Sequence, residues 1–369
     1  EPLTPVFLDT IPYFRTLDVI DHAEYGTYSV FLFHSSYGYF ENMIVFVDMS
    51  MGFDIVATVT AETFETGQLK VRDEIAYVTA KDHGLWVLDV SDILLPRELA
   101  ILDGIGSCRS IELFGDYAMI GRDYAGFIVV DIADPEAPSL VYESDDTFSV
   151  YSMEASGDHM YLATSQGVFG VDITDPTSPA IVTTVTASAS TEVKIHDNKL
   201  YATMIEYIYG WLPVNHGNEV WDISDPLAPV FLGSHFIRDW GEEPSQFFFA
   251  DRYIYLTGEY GTSVESSGED SSWWPLRYSY PAEIDYGEAI FLEGNGKYIA
   301  MDYSEEYGSY SGPYGVRFVV PSLSNHDFMP YMSYIFYIES YIYRPASVDF
   351  YDSSYACSFE DGELVFGEL

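Results

Sequence analysis

Positive charge is what this chain has least of. Fifteen Lys and Arg face 59 Asp and Glu over 369 residues, a formal net charge of −44 at pH 7. Phosphate binding needs clustered Lys and Arg, so nucleic acid is excluded as a partner and an anionic membrane surface with it. No run of about 18 apolar residues is present to cross a bilayer, so no membrane insertion is expected. Only two cysteines occur, Cys108 and Cys357. That is too few for a disulfide scaffold. Partly buried free thiols, one internal bridge and a bridge between copies all stay open. None of the six asparagines begins an Asn-x-Ser/Thr sequon, so N-glycosylation is not expected.

Catalytic signatures are absent as well. The eight histidines show no metal-type spacing, and no Gly-x-Ser-x-Gly elbow, P-loop or dinucleotide glycine pattern occurs. No catalytic residue is assigned and no cofactor is implied. An active site assembled from distant loops would leave no such motif.

What the chain does have is a repeated phrase. It reads Gly84-Leu85-Trp86-Val87-Leu88-Asp89, then Gly126-Phe127-Ile128-Val129-Val130-Asp131, then Gly167-Val168-Phe169-Gly170-Val171-Asp172, and finally Glu219-Val220-Trp221-Asp222. Asp48, Asp89, Asp131 and Asp172 follow one another at 41, 42 and 41 residues. A period of roughly 40–45 residues is that of a four-stranded propeller blade. Upstream of each phrase lie two short β-branched and aromatic runs joined by a turn pair such as Gly115-Asp116, Gly157-Asp158 or Asp197-Asn198, a hairpin signal. Downstream come Asp-Pro and a further apolar run, as in Pro226-Leu227-Ala228-Pro229-Val230-Phe231-Leu232. The order predicted for each unit is inner strand, hairpin, second strand, third strand, Asp-Pro turn, outer strand.

First hairpins near residues 30, 71, 112, 153, 194, 249, 291 and 349 predict eight blades, with seven as the alternative. The third strand is hardest to place in 258–287. The C-terminal Gly362–Leu369 and the N-terminal Glu1–Leu8, joined end to end, resemble the Asn218–Leu232 segment. The N-terminal strand is therefore expected to complete the C-terminal blade and close the ring. The expected fold is an all-β, β-propeller domain spanning 1–369.

Candidate sites follow from that arrangement. The residues expected just before each inner strand are Gln68, Arg109, Tyr151, Glu192, Gln246, Glu288 and Arg344. They would line the channel mouth, and they fit either a small polar ligand such as a sugar or a plug of mutual ion pairs. The carboxylate pairs Asp89/Asp92, Asp131/Asp134, Asp172/Asp175 and Asp222/Asp225 could ligate Ca²⁺, which takes six to eight oxygens. The competing reading is that they cap turns. Two aromatic-rich stretches stand outside the repeat as loop insertions near 207–217 and 260–286. With their related stretches 303–314 and 331–343 they suggest a docking surface, for which Trp211, Tyr260, Trp273, Trp274, Tyr278 and Tyr280 are the candidates. The alternative is that these rings pack on their own blades.

The pattern Gly, four apolar residues, Asp, apolar, Ser/Thr, Asp-Pro-x-x-Pro resembles the LVIVD repeat of secreted and surface-associated bacterial and archaeal propellers. The clear copies run from about residue 40 to 235. The resemblance implies the fold and says little of activity, because the motif residues are core and turn residues. It also favours a mature extracellular or cell-surface protein from which a signal peptide has been removed. A trimmed piece of a longer chain is the other reading of a sequence that begins at Glu1. The expected role is non-catalytic: a structural or adhesive component of a cell-surface layer, sheath or filament that associates with itself. The alternative is a propeller that binds a surface carbohydrate or peptide at its channel mouth; an extracellular hydrolase or lyase is a third reading.

Overall fold

The computed structural model describes residues 6–11, 17–35, 42–48, 54–61, 67–81, 84–208, 212–237, 247–250, 253–258, 261–266, 291–294, 299–307, 310–322, 331–340, 345–351, 354–359 and 364–368, with side chains at 23, 25–32, 43–48, 56–60, 67–81, 84–204 and 219–234. Every regular element among them is a β-strand. After β1 (Val6–Ile11), the strands β2 (Leu17–Tyr25), β3 (Tyr28–Ser35), β4 (Asn42–Asp48) and β5 (Asp54–Ala61) form an antiparallel meander. The pattern repeats in β6 (Leu69–Arg72), β7 (Ile75–Ala80), β8 (Gly84–Asp89) and β9 (Arg97–Leu102). It continues in β10 (Cys108–Phe114), β11 (Tyr117–Arg122), β12 (Phe127–Asp131) and β13 (Ser139–Glu143). The next copy is β14 (Val150–Ser156), β15 (His159–Thr164), β16 (Gly167–Asp172) and β17 (Ala180–Thr186). Then come β18 (Val193–His196), β19 (Lys199–Ile208), β20 (Leu212–Asp222) and β21 (Val230–Ile237).

Three strands, β22 (Phe247–Ala250), β23 (Tyr253–Gly258) and β24 (Gly261–Ser266), make the next sheet. The last complete meander is β25 (Phe291–Gly294), β26 (Ile299–Tyr307), β27 (Tyr310–Ser322) and β28 (Tyr331–Ser340). Finally, β29 (Pro345–Tyr351), β30 (Ser354–Phe359) and β31 (Leu364–Glu368) take β1 as their fourth strand, in the order β1-β31-β30-β29. Sheets consecutive in the chain touch through their first strands: β2 lies against β6, β10 against β14, β14 against β18, and β25 against β29.

The four apolar residues in a row have a packing reason. A strand with one face in water alternates apolar and polar residues, whereas a strand buried on both faces does not. In β8, Trp86 and Leu88 pack against Val30, Leu32, Ile44 and Phe46 of the preceding sheet. Leu85 and Val87 pack the other way, against Ile111, Ala118, Ile120, Ile128 and Val130. Met119, Phe127 and Val129 repeat the arrangement against Val150, Met160 and Leu162. Each such side chain contributes roughly 1.5–3 kcal/mol when fully buried. The outer strands lack a second strand neighbour, and β9 and β13 are exposed or half-buried throughout.

Two backbone devices hold the repeat in register. Asp73-Glu74 and Asp197-Asn198 adopt positive φ at both turn positions, as a type I′ hairpin turn requires. Gly84 and Gly167 open their third strands at φ 87° and 142°. A Cβ on either would strike the carbonyl of the outer strand, Leu102 for Gly84 and Thr186 for Gly167, so only glycine fits the motif's first position. Outer strands β5, β9, β13, β17, β21 and β28 each carry a register shift opposite the third strand. Such bulges twist an exposed edge away from further strand pairing.

Within the first expected loop insertion, residues 207–208 and 212–217 lengthen β19 and β20, which pair antiparallel from Lys199↔Asp222 to Ile208↔Leu212 with one register shift at Glu206/Tyr207. Residues 303–314 lengthen β26 and β27 in the same way, out to Tyr307↔Tyr310. Residues 331–340 are β28, and 261–266, inside the second expected insertion, are β24. Tyr, Ile, Val and Thr favour extended backbone, so a stretch rich in them continues a hairpin rather than leaving it.

The buried third strand gives a direct test. Ile128→Ala, at a fully buried site, should cost about 2–5 kcal/mol of unfolding free energy. Leu140→Ala, on the exposed outer strand β13, should cost less than about 0.5 kcal/mol. Urea titration of the two variants reads the difference.

Candidate functional site

The repeated aspartates come first because they are the most regular charged groups. Asp89, Asp131, Asp172 and Asp222 each accept a hydrogen bond at Oδ1 from the backbone N–H two residues on, at 2.8–3.0 Å. Asp92, Asp134, Asp175 and Asp225 do the same toward Leu94, Glu136, Thr177 and Leu227, at 3.0–3.2 Å. All eight are Asx turns that shape the step from third to outer strand. Hydroxyl donors reinforce four of them: Thr177 donates to Asp175 at 2.7 Å, Ser91 and Thr174 donate to Asp89 and Asp172 at 2.6 and 2.7 Å, and Ser224 holds Asp222 likewise, the last three being the closing aspartates of their third strands. The hydroxyls of Ser91, Thr174 and Ser224, followed by the backbone N–H bonds, hold those three carboxyls below the ordinary aspartate value. Among the described residues no group of three or more His, Cys, Asp or Glu is arranged to hold a metal ion.

Four of the seven channel-mouth candidates lie among the described residues, and three of them, Gln68, Arg109 and Tyr151, make contacts across sheets. Gln68 precedes β6 and accepts from the Ile111 N–H of the next sheet at 3.0 Å. Arg109 and Tyr151 do not precede their strands. They are the bulged residues of β10 and β14, skipped between Cys108 and Ser110 and between Val150 and Ser152. A bulge re-aims a side chain, and here the Arg109 guanidinium lies 4.7 Å from the centre of the Tyr151 ring. Arg109 also pairs with Asp123 at 3.1 Å. Glu192 precedes β18, where its backbone N–H donates to Thr203 Oγ1 at 2.9 Å. Gln246, Glu288 and Arg344 lie outside the described residues. So do Trp211, Tyr260, Trp273, Trp274, Tyr278 and Tyr280.

A second line of charge was not read from the sequence. Lys70, Glu112, Glu154 and Lys194 occupy the same register position on β6, β10, β14 and β18, opposite Tyr77, Met119, Tyr161 and Tyr201. Lys70 and Glu112 are 2.9 Å apart. Burial pushes the Glu154 carboxyl up, against the pull of Lys194 and a hydrogen bond from the Ile195 N–H. The available signal was a charged residue recurring at the repeat period inside otherwise apolar first strands. Arg122 was missed too. Its side chain is 7% exposed, pairs with Glu143 at 2.7 Å, and donates to the carbonyls of Ile105 and Ala125. Cys108 is a free, buried thiol beside it, pushed up to about 12 by burial. The Cys357 side chain lies outside the described residues.

A series of four-stranded antiparallel meanders packed face to face on their first strands is a fold of the β-propeller kind. Solved structures of similar shape agree. The computationally designed protein Ika8 superposes with a TM-score of 0.70 at 13% identity, over 97% of this chain and 98% of that one. BamB from Moraxella catarrhalis gives 0.64 at 12% identity, over 100% and 98%. Saccharomyces cerevisiae Sqt1 gives 0.72 at 7% identity, over 100% of both chains. At these identities the likeness shows the fold alone. The family profile of the LVIVD repeat matches residues 65–102, 105–146 and 149–187. Over these three stretches the chain carries the LVIVD repeat. No curated protein sequence matches it.

Two expectations follow from the side chains. The carboxyls of Asp89, Asp172 and Asp222 titrate lower in the folded than in the unfolded state. Their contribution is therefore full above the unfolded aspartate pKa of about 3.9 and is lost as pH falls through the folded values. Thr174→Val should be less stable than the parent at pH 7, and the gap should close as pH falls below about 4, read from denaturant midpoints. Cys108 should resist alkylation by iodoacetamide in the native state and react on unfolding, since only the thiolate attacks. Mass spectrometry of labelled peptides reads that contrast.

Proposed function

We propose that the chain is a non-catalytic, extracellular propeller of eight blades, closed into a ring by the pairing of β1 with β31, that works through its surface. On this reading it is a structural or adhesive unit of a cell-surface layer, sheath or filament, and its main partner is another copy of itself. The observation that carries the reading is the lengthening of the β19–β20 and β26–β27 hairpins through aromatic-rich sequence. Both extensions fall at the connection between second and third strands, the same end of each sheet. Tyr-rich surfaces at one end of a disc suit docking onto a neighbouring copy. A contact between two different surfaces, repeated, gives an open polymer.

The bulged outer strands favour docking through faces over edge-to-edge strand pairing. Charge sets the conditions. A net charge of −44 makes copies repel, so contacts must be uncharged or bridged by cations such as Ca²⁺, or the repulsion must be screened by salt. Negative-stain electron microscopy with and without Ca²⁺, beside the elution volume on a sizing column, tests this. Filaments, tubes or sheets are expected. A variant in which 206–215 is replaced by Asn-Gly should remain folded and elute as single discs. Discs of one size under every condition, for the unaltered chain, would refute self-assembly.

A further inference from the structure

Tyr124 is the one aromatic residue held at positive φ among the described residues. Asp73, Glu74, Asp197 and Asn198 share positive φ, but they form type I′ hairpin turns that demand it. Tyr124 sits between β11 and β12 at φ 55°, and the residue is 80% exposed. A bulky side chain in the left-handed region is strained, and strain persists only where the surroundings enforce it.

Here they do. Arg122, buried beneath the loop, donates from Nη2 to the Ala125 carbonyl at 2.7 Å and from Nη1 to the Ile105 carbonyl at 3.3 Å. The Tyr124 N–H donates to Ser149 Oγ at 3.0 Å. Asp123 N–H donates to the Ser107 carbonyl at 3.2 Å, and Gly126 N–H to the Phe148 carbonyl at 2.9 Å. The loop is thus tied to two sheets, with its backbone pinned where the exposed Tyr124 leaves it. The residue before it in the chain, Asp123, pairs with Arg109, and that guanidinium lies over the Tyr151 ring.

We propose that Tyr124, Asp123, Arg109 and Tyr151 form a binding subsite for a neutral carbohydrate, with the Tyr124 ring as its platform. The face of an aromatic ring carries negative potential, and the polarised C–H groups of a pyranose fit against it. A side chain carried on a pinned backbone leaves less freedom to be lost on binding. The Arg109–Asp123 pair sets donors and acceptors side by side, as two adjacent hydroxyls require. That pair has no net charge. An anionic sugar would meet the field of a −44 chain, and a cation would meet Arg109, which already covers Tyr151. A neutral polyol meets neither. The inference is independent of self-assembly and can be read on single discs.

The test uses maltotetraose, cellotetraose, mannotetraose and chitotetraose, with sialyllactose and an uncharged pentapeptide for contrast. Saturation-transfer NMR and calorimetry follow binding to the full chain. At least one neutral tetrasaccharide should bind saturably, with sialyllactose at least tenfold weaker. Tyr124→Phe should bind within about twofold of the parent. Tyr124→Ala, changed at an exposed site and checked for folding by circular dichroism, should lose tenfold or more, and Asp123→Asn several-fold. Tyr124→Gly should raise Tm, because glycine relieves the positive φ, while losing binding. No binding of any tetrasaccharide, undiminished binding by Tyr124→Ala, or preference for the peptide would overturn the proposal.

Discussion

Leu85 and Val87 reach into one neighbouring sheet while Trp86 and Leu88 reach into the other, and most of the architecture follows from that two-sided burial. A sheet whose faces are both covered must be apolar along its middle strands. Its polar groups are then confined to strand ends and edges. The glycine that opens the third strand and the aspartate that closes it mark those ends. Between them the strand is insulated from water, so neither a charge nor a bulky turn residue is tolerated there.

That confinement explains where so acidic a chain puts its carboxylates. Eight of them shape the turns after the third strands, where they accept backbone N–H groups and stay in water. Others face the gap between first strands and are matched by Lys70 and Lys194. The basic residues are few, and several of those described hold one sheet or loop to another: Lys70 to Glu112, Arg109 to Asp123 and Tyr151, and Arg122 to the Ala125 carbonyl.

The mouth of the inner strands shows how bulges serve such ties. Arg109 and Tyr151 meet because each is the extra residue of its strand, turned out of the regular alternation. Regular strands would alternate these side chains between the two neighbouring cores. The same local freedom allows the Asp123–Ala125 loop to be fastened to Ser107 and Ser149, which belong to segments before two different sheets.

The repeat was legible in the sequence because a strand buried on both faces writes four apolar residues in a row, and because Gly and Asp-Pro punctuate it every 41 or 42 residues. The hairpins were legible from Gly-Asp and Asp-Asn, since positive φ restricts which residues can stand there. The turn role of the Asp pairs could be weighed in advance, and the hydrogen bonds show it. Part of the 207–217 stretch, expected as a loop, is strand. A hairpin extension keeps no fixed period, and its strand pairing is visible only in the register of β19 with β20 and of β26 with β27. The Arg109–Tyr151 stack and the strained Tyr124 came from the tertiary structure alone. Each joins residues roughly one repeat apart, or depends on a backbone angle that no side-chain pattern records. Local sequence therefore determined the unit, because its burial and its turns are local. The contacts between units decided the site, because they depend on how neighbouring sheets are aligned.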